Sequence, residues 1–103
     1  MKRIILAALL MIAPVQAEEY QFNLHEHCAG IGKISESIMR ARQNNVPMSS
    51  LMAVFEGDEE AKLFQAIIGM AFDFPVMRSP HNKEIQAQEF RNRIEVMCYR
   101  REN

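Results

Sequence analysis

Two cysteines, one near each end of the chain, constrain this sequence more than any other feature. Cys28 follows the N-terminal segment, and Cys98 lies close to the last residue, Asn103. In an exported chain, two distant cysteines with no others are expected to close one disulfide in an oxidising compartment. On the loop-entropy model such a bridge destabilises the unfolded chain by about 4 kcal/mol, which is comparable to the net stability of a small domain. We therefore expect both cysteines to serve folding rather than chemistry.

The first 17 residues have the features of an export signal. A short positive region, Met1–Arg3, precedes the apolar run Ile4–Ala13, and Val15-Gln16-Ala17 forms a small-x-small cleavage site. The apolar run is too short to span a bilayer as a helix. We predict a cleaved signal peptide over residues 1–17, a single domain over residues 18–103, and a periplasmic location.

The charge balance argues against a nucleic-acid partner. The chain carries 12 basic and 13 acidic residues, and its net charge is −1. Removal of Lys2 and Arg3 with the signal makes the remaining domain more negative, whereas a nucleic-acid-binding domain presents a basic face. No apolar segment after the signal is long enough to cross a membrane, so we expect no membrane span in the mature chain.

Four stretches of the chain carry apolar residues at every third or fourth position, which is the spacing of an amphipathic helix. The first begins near Leu24 and ends before Val46-Pro47, because a residue that precedes proline is disfavoured in the helical region. The other boundaries are marked by residues that cap or stop helices, namely Ser49 or Ser50 and Gly57 around the second helix, Asp58 and Pro75 around the third, and Ser79-Pro80 at the start of the fourth.

The two cysteines lie on the apolar faces of the first and fourth helices. Cys28 is near the start of the first helix and Cys98 near the end of the fourth, so a bridge between them makes these helices antiparallel. Gly30 and Gly32 follow Cys28, and we expect them to allow close approach of two helices there. We therefore predict an all-α fold, a small four-helix bundle stapled by one disulfide and preceded by the signal peptide.

The cluster His25-Glu26-His27-Cys28 contains side-chain types that bind metals. Exported copper and zinc carriers use such residues together with methionine thioethers. Two observations argue against a site: Cys28 is expected in a disulfide, and residues two apart point to different faces of a helix. A copper or zinc carrier is therefore a remote alternative, with His25 and His27 as weak candidate ligands, and we expect no cofactor. The methionines are more simply explained as fillers of core gaps.

The sequence contains no pattern that indicates an enzyme. Ser49 and Ser50 are explained by helix capping and lack the glycines of a nucleophile elbow. Gly30-Ile31-Gly32 lies in a helical stretch without the strand that a nucleotide-binding loop requires. Both cysteines are expected to be oxidised. We therefore expect a protein without catalytic residues.

Arginines are frequent near the end of the fourth helix. They could contact anionic lipid or an acidic partner. We favour the simpler interpretation that they complement the helix dipole and pair with the neighbouring acids Glu89 and Glu95. The arginines concerned are Arg91, Arg93, Arg100 and Arg101.

A set of short motifs follows the signal in a fixed order. They are Cys28, Ile38–Gln43, Val46–Met52, Ala71, Pro75, Ser79, Phe90–Asn92 and Cys98-Tyr99. This order resembles a family of small exported proteins encoded by bacteriophages and prophages of Gram-negative bacteria, and the resemblance covers nearly the whole chain after the signal. It implies an exported compartment and a similar fold but no activity. The chain departs from the family at Asn44-Asn45, where a glycine is expected at the helix end; asparagine tolerates the left-handed conformation that such a cap needs.

The resemblance implies a non-catalytic periplasmic interaction protein, of phage or prophage origin, that modulates an envelope partner in phage entry, host lysis or the action of an envelope enzyme. The candidate partner-binding residues are Arg42, Gln43, Pro47 and Met48, which gather on the turn between the first two helices, since exposed loops often carry function. An equally simple interpretation is that Arg42 and Gln43 satisfy helix-end carbonyls while Met48 packs as a hydrophobic plug.

The alternative function is an acid-activated periplasmic chaperone. The chain has 13 carboxylates and three histidines, so its net charge becomes strongly positive at low pH. Self-repulsion would then loosen the bundle while the disulfide limits its opening, and apolar stripes such as Phe64, Ile67 and Ile68 would be exposed to client proteins.

Overall fold

The computed structural model describes residues 22–102, and the predicted signal peptide lies outside this range. Within these residues the chain forms four α-helices and no strand. The prediction of an all-α, four-helix fold is confirmed. The helices are α1 (Leu24–Gln43), α2 (Met48–Val54), α3 (Glu59–Ala71) and α4 (Pro80–Glu102).

Three of the helices begin at a side chain that accepts a hydrogen bond from a backbone N–H of the first turn. The predicted caps Asp58 and Ser79 accept from Ala61 at 2.9 Å and from Asn82 at 3.1 Å. Asn23 caps α1 in the same way, accepting from Glu26 at 3.0 Å. Each of these bonds satisfies a donor that has no partner inside its helix.

The predicted serine cap of α2 is wrong. Pro47 occupies the cap position with extended backbone, and its carbonyl oxygen accepts from the backbone N–H of Ser50 at 3.1 Å. Ser49 and Ser50 therefore lie inside the helix. Proline fixes the backbone angle φ near −65°, which is compatible with this position, so the helix begins two or three residues earlier than a serine cap would allow.

The pairing of α1 with α4 is fixed at both ends. The Cys28 and Cys98 sulfur atoms form the predicted disulfide, with the two Cα atoms 5.7 Å apart. At the other end Arg40 of α1 forms an ion pair with Glu84 near the start of α4. The start of one helix therefore lies beside the end of the other, and the predicted antiparallel arrangement is confirmed.

A close approach between α1 and α4 occurs at one of the two glycines. A Cβ atom at position 32 would overlap the Cγ and the carboxyl group of Glu95, whereas a Cβ at Gly30 would meet nothing within 4 Å. Gly32 is buried and Gly30 is exposed. The predicted close packing of helices near the disulfide is therefore confirmed for Gly32 alone.

The core lies where α1, α3 and α4 meet. Phe90 and Met39 are among its largest fully buried side chains, and Ile68 packs with them from α3. α2 contributes no fully buried residue and packs on α3 through partly buried side chains such as Leu51. The short helix thus covers the outside of α3 while the three longer helices form the core.

The direction of α3 follows from the segment after it. Gln43, the last residue of α1, forms hydrogen bonds with Pro75 and Met77 beyond the end of α3. The C-terminal end of α3 therefore lies at the end of the molecule opposite the disulfide. Glu59, the first residue of α3, lines a groove together with Cys98, so α3 begins at the disulfide end of the molecule.

We predict that replacing both cysteines, Cys28→Ala with Cys98→Ala, lowers the free energy of unfolding by about 4 kcal/mol, because the bridge closes 70 residues of chain. Urea denaturation followed by circular dichroism measures this difference. A loss below about 1 kcal/mol would contradict the stabilising role assigned to the bridge.

Candidate functional site

The turn after α1 is closed by an asparagine in the left-handed conformation. Asn45 has a φ of 65°. The backbone N–H groups of Asn45 and Val46 donate to the carbonyl oxygens of Arg42 and Ala41, both at 3.0 Å, which is the hydrogen-bond pattern of a Schellman motif. The cap at the end of α1 is therefore formed by asparagine in place of the more usual glycine.

Gln43 points into the core rather than to solvent. Its side chain is 1% exposed, and its amide Nε2 donates to the Pro75 carbonyl oxygen at 2.9 Å. Its Oε1 accepts from the Met77 backbone N–H at 2.7 Å. The amide therefore ties the end of α1 to the segment between α3 and α4.

Arg42 supports the same segment from a half-buried position. Its Nε donates to the Phe74 carbonyl oxygen at 3.1 Å, and its guanidinium lies 4.7 Å from the centroid of the Phe72 ring. Both side chains do satisfy carbonyl groups, but these belong to the segment after α3 and not to the end of α1. Pro47 and Met48 are exposed on the outer side of the turn. A partner-binding role for these four residues stays a prediction.

A chain of ion pairs, which we call the ionic seam, connects α1 and α4. Arg40 pairs with Glu36 and Glu84, and Arg91 pairs with Glu36 at 3.1 Å and with Glu95 at 2.8 Å. Glu36 therefore lies between two arginines, one from each helix. The predicted pairing of the fourth-helix arginines with Glu95 is confirmed for Arg91.

The ionic seam shifts the pKa values of its members. Hydrogen bonds from Arg40, and then from Arg91, lower the pKa of Glu36 below its ordinary value of 4.5. The hydrogen bond from Arg40 lowers the pKa of Glu84 in the same way. The arginines are shifted in the opposite direction, since Glu84 and Glu36 raise the pKa of Arg40, and Glu95 and Glu36 raise that of Arg91. The shifts favour the charged forms of Glu36, Glu84, Arg40 and Arg91.

The two candidate metal ligands, near the start of α1, contact different aromatic residues. His25 Nδ1 is 3.0 Å from the Tyr99 hydroxyl, and the His27 ring lies 5.1 Å from the ring of Phe22. Over residues 22–102, no three His, Cys, Asp or Glu side chains come together in a group that could hold a metal ion. The structure thus explains the two histidines by local contacts with aromatic rings.

A groove runs between α3 and α4 on the disulfide side of the molecule, and we call it the α3–α4 groove. Its volume is about 860 Å³. The floor is apolar and is formed by side chains from α1, α3 and α4, with Ala66 leaving space at its middle. The apolar floor residues are Ile31, Leu63, Ile67, Met70, Ile94 and Met97.

Charged side chains gather at one end of the α3–α4 groove, which we call its mouth. Glu59 and Lys62 come from the start of α3, where they form an ion pair at 3.1 Å. Arg100 and Arg101 come from the end of α4 and are exposed. Three cationic side chains therefore face one carboxylate, and the mouth carries net positive charge.

Sequence reasoning missed this groove. Helical spacing assigns Leu63 and Met70 to the apolar face of α3, but both are only partly buried. The same spacing assigns Met97 to the apolar face of α4, yet it is 47% exposed. The one signal in the sequence that could have indicated the groove is methionine at positions that alternate with core residues. The adaptable side chain of methionine is common on surfaces that bind varied partners.

Comparison of the chain with protein families, with curated proteins and with solved structures found no match. Among the helices described by residues 22–102, none is both long and apolar enough to cross a membrane.

We predict that Gln43→Ala lowers the free energy of unfolding by about 2–3 kcal/mol, because the substitution removes a buried side chain and its two hydrogen bonds to Pro75 and Met77. Gln88→Ala, at an exposed position of α4, is the control and is expected to change stability by less than about 0.5 kcal/mol. Equal effects in urea denaturation would contradict the anchoring role of Gln43.

Proposed function

We propose that this chain is a non-catalytic periplasmic interaction protein, of phage or prophage origin, that binds a partner in the cell envelope through the α3–α4 groove. The observation that carries the proposal is an apolar floor left accessible in a small helical domain. A concave and mostly apolar groove with a few charged groups at its edge is the usual form of a binding site. Residues from three helices line this surface, so it is held in place by the core.

The chemistry of the lining supports binding rather than catalysis. In the part of the chain that the structure describes, no serine, threonine or free cysteine lines the groove. The sulfur of Cys98 is committed to the disulfide. The one histidine, His27, therefore has no nucleophile beside it to activate, which a covalent mechanism requires.

The disulfide supports an oxidising compartment, as does the export signal predicted over residues 1–17. Both agree with a periplasmic location. Modulation of phage entry, of host lysis or of an envelope enzyme is the kind of work such a protein would do there, and each requires a binding surface and no catalytic residue.

An exposed alanine in the groove provides a direct test. Ala66→Arg places a long polar side chain over the apolar floor, and arginine preserves helix propensity. We expect this variant to lose the envelope partner that the wild type captures by crosslinking and pull-down from the periplasm. Ala29→Arg makes the same change at an exposed position of α1 outside the groove, and we expect it to retain the partner.

Identical partner profiles for the two alanine variants would contradict the proposal. Arg42→Ala in the same experiment tests the turn after α1. Loss of the partner with Arg42→Ala but not with Ala66→Arg would place the binding surface at that turn instead.

The ionic seam favours a second candidate function, the acid-activated chaperone. The seam places three carboxylates, those of Glu36, Glu84 and Glu95, against two arginines along the contact between α1 and α4. When the carboxylates are protonated, Arg40 and Arg91 keep their charge and lose their partners. The helices are then weakened along the seam while the disulfide still holds one end of the pair, so partial opening is limited.

The sign of the pH dependence follows from the lowered pKa values of Glu36 and Glu84. Their ionised forms stabilise the folded chain above the unfolded value of about 4.5, and this contribution is lost as the pH falls through the folded-state pKa. We therefore predict that Glu36→Gln is less stable than the wild type at neutral pH and loses less stability on acidification. Urea denaturation at a series of pH values measures this.

Glu89→Gln is the matched control, since Glu89 is an exposed carboxylate of α4 outside the ionic seam. We expect it to keep the pH dependence of the wild type. A Glu36→Gln profile parallel to that of the wild type would remove the seam as the acid-sensitive element. The chaperone function itself requires that the protein suppress aggregation of a periplasmic extract near about pH 3, where most carboxylates are titrating.

A further inference from the structure

We infer that the segment that binds in the α3–α4 groove is an amphipathic α-helix of the partner, with acidic residues at the end that meets Arg100 and Arg101. This inference rests on the proposed function, because it names the partner's chemistry at the same surface. It follows from the shape of the groove, the side chains that line it and the position of its charges.

The walls of the groove have the surface relief that a helix fits. On α3 the lining residues Leu63, Ala66 and Met70 are three and four positions apart, and Ile94 and Met97 follow the same spacing on α4. Side chains at this spacing form ridges with grooves between them, into which the ridges of another helix pack. From Glu59 to Met70, α3 rises about 16 Å, which accommodates three turns of helix.

Ala66 helps a helix to approach. It is the smallest side chain on the floor and lies between Leu63 and Met70. Its short side chain lets the backbone of an incoming helix come close. Met70 and Met97 border this space, and the flexible thioether side chains of methionine adapt to the apolar face of a docked helix.

Two other common modes of peptide recognition do not fit this surface. Addition of an extended strand requires an exposed sheet edge, and residues 22–102 contain no strand. Binding of a polyproline segment requires a groove lined by aromatic rings, and among the described residues that line this one there is no Phe, Tyr or Trp. A helix, whose backbone hydrogen bonds are internal, needs only the apolar contact that this groove offers.

The charge distribution orients the partner helix. Arg100 and Arg101 lie at the mouth, and Lys62 adds a third cation beside Glu59. The floor beyond the mouth, at Ile67 and Met70, is apolar. A helix with an apolar stripe and acidic residues at one end is complementary to both regions, and its acidic end lies at the mouth.

The inference is tested with synthetic helical peptides about 14 residues long, stapled on the polar face because unconstrained helices of this length are marginally stable in water. The acidic peptide has leucines three and four apart and glutamates in its first turn. The basic peptide has lysines in place of the glutamates. Both are titrated into protein purified from the periplasm and followed by calorimetry.

We expect the wild type to bind the acidic peptide and to bind the basic peptide about tenfold more weakly. Arg100→Glu with Arg101→Glu should reverse this preference. Lys33→Glu with Arg78→Glu changes the net charge equally at exposed positions outside the groove, and should keep the wild-type preference. Circular dichroism confirms that each variant is folded.

Three results would overturn the inference. The first is equal affinity of the wild type for the two peptides. The second is that Arg100→Glu with Arg101→Glu lowers the affinity for the acidic peptide without raising the affinity for the basic peptide. The third is that laurate or a second copy of the chain occupies the groove in place of the acidic peptide. Laurate is titrated in parallel, and the oligomeric state is measured by light scattering. Ala66→Arg covers the apolar floor and tests whether the groove binds a partner at all, whereas the two peptides test which charge the bound helix carries. A wrong prediction of the charge is therefore distinguishable from a failure of the proposed function.

Discussion

The antiparallel contact between α1 and α4 is the constraint on which the rest of the molecule depends. It is covalent at one end, through Cys28 and Cys98, and ionic along its length, through the seam centred on Glu36. Gly32 permits the close approach between these attachments. With the two longest helices held in this way, α3 packs against both of them and completes the core.

The same contact determines where apolar surface remains accessible. At the end opposite the disulfide, Gln43 and Arg42 hold the segment after α3 against the end of α1, and Phe74 packs edge-on against Phe90. At the disulfide end no such segment among residues 22–102 lies over the space between α3 and α4, and Met97 is 47% exposed. The molecule therefore has one end closed by polar anchors and one end where an apolar floor is accessible beside cationic side chains. This difference between the ends is what a binding role requires.

Much of the fold follows from local sequence signals, whereas the groove does not. Asp58 and Ser79-Pro80 determine helix starts through short-range chemistry, and the cysteines predict one long-range contact, so the helices and the α1–α4 pairing were predictable. The roles of Gln43 and Met97 depend on tertiary placement. A glutamine at the end of an amphipathic helix is ordinarily exposed, and its burial here depends on backbone groups more than 30 positions away. Met97 satisfies the helical spacing of a core residue but is 47% exposed, because it lines the groove between α3 and α4.

The central claim is that the α3–α4 groove, and not the turn after α1, is the surface that binds a partner. Methionine methyl groups report on both surfaces, since Met70 and Met97 line the groove while Met48 and Met52 lie beside the turn. The most direct measurement is a methyl NMR spectrum of protein carrying ¹³C-labelled methionine, recorded before and after addition of concentrated periplasmic extract. The account predicts that the signals of Met70 and Met97 broaden or shift while those of Met48 and Met52 stay unchanged. Changes confined to Met48 and Met52 would contradict it.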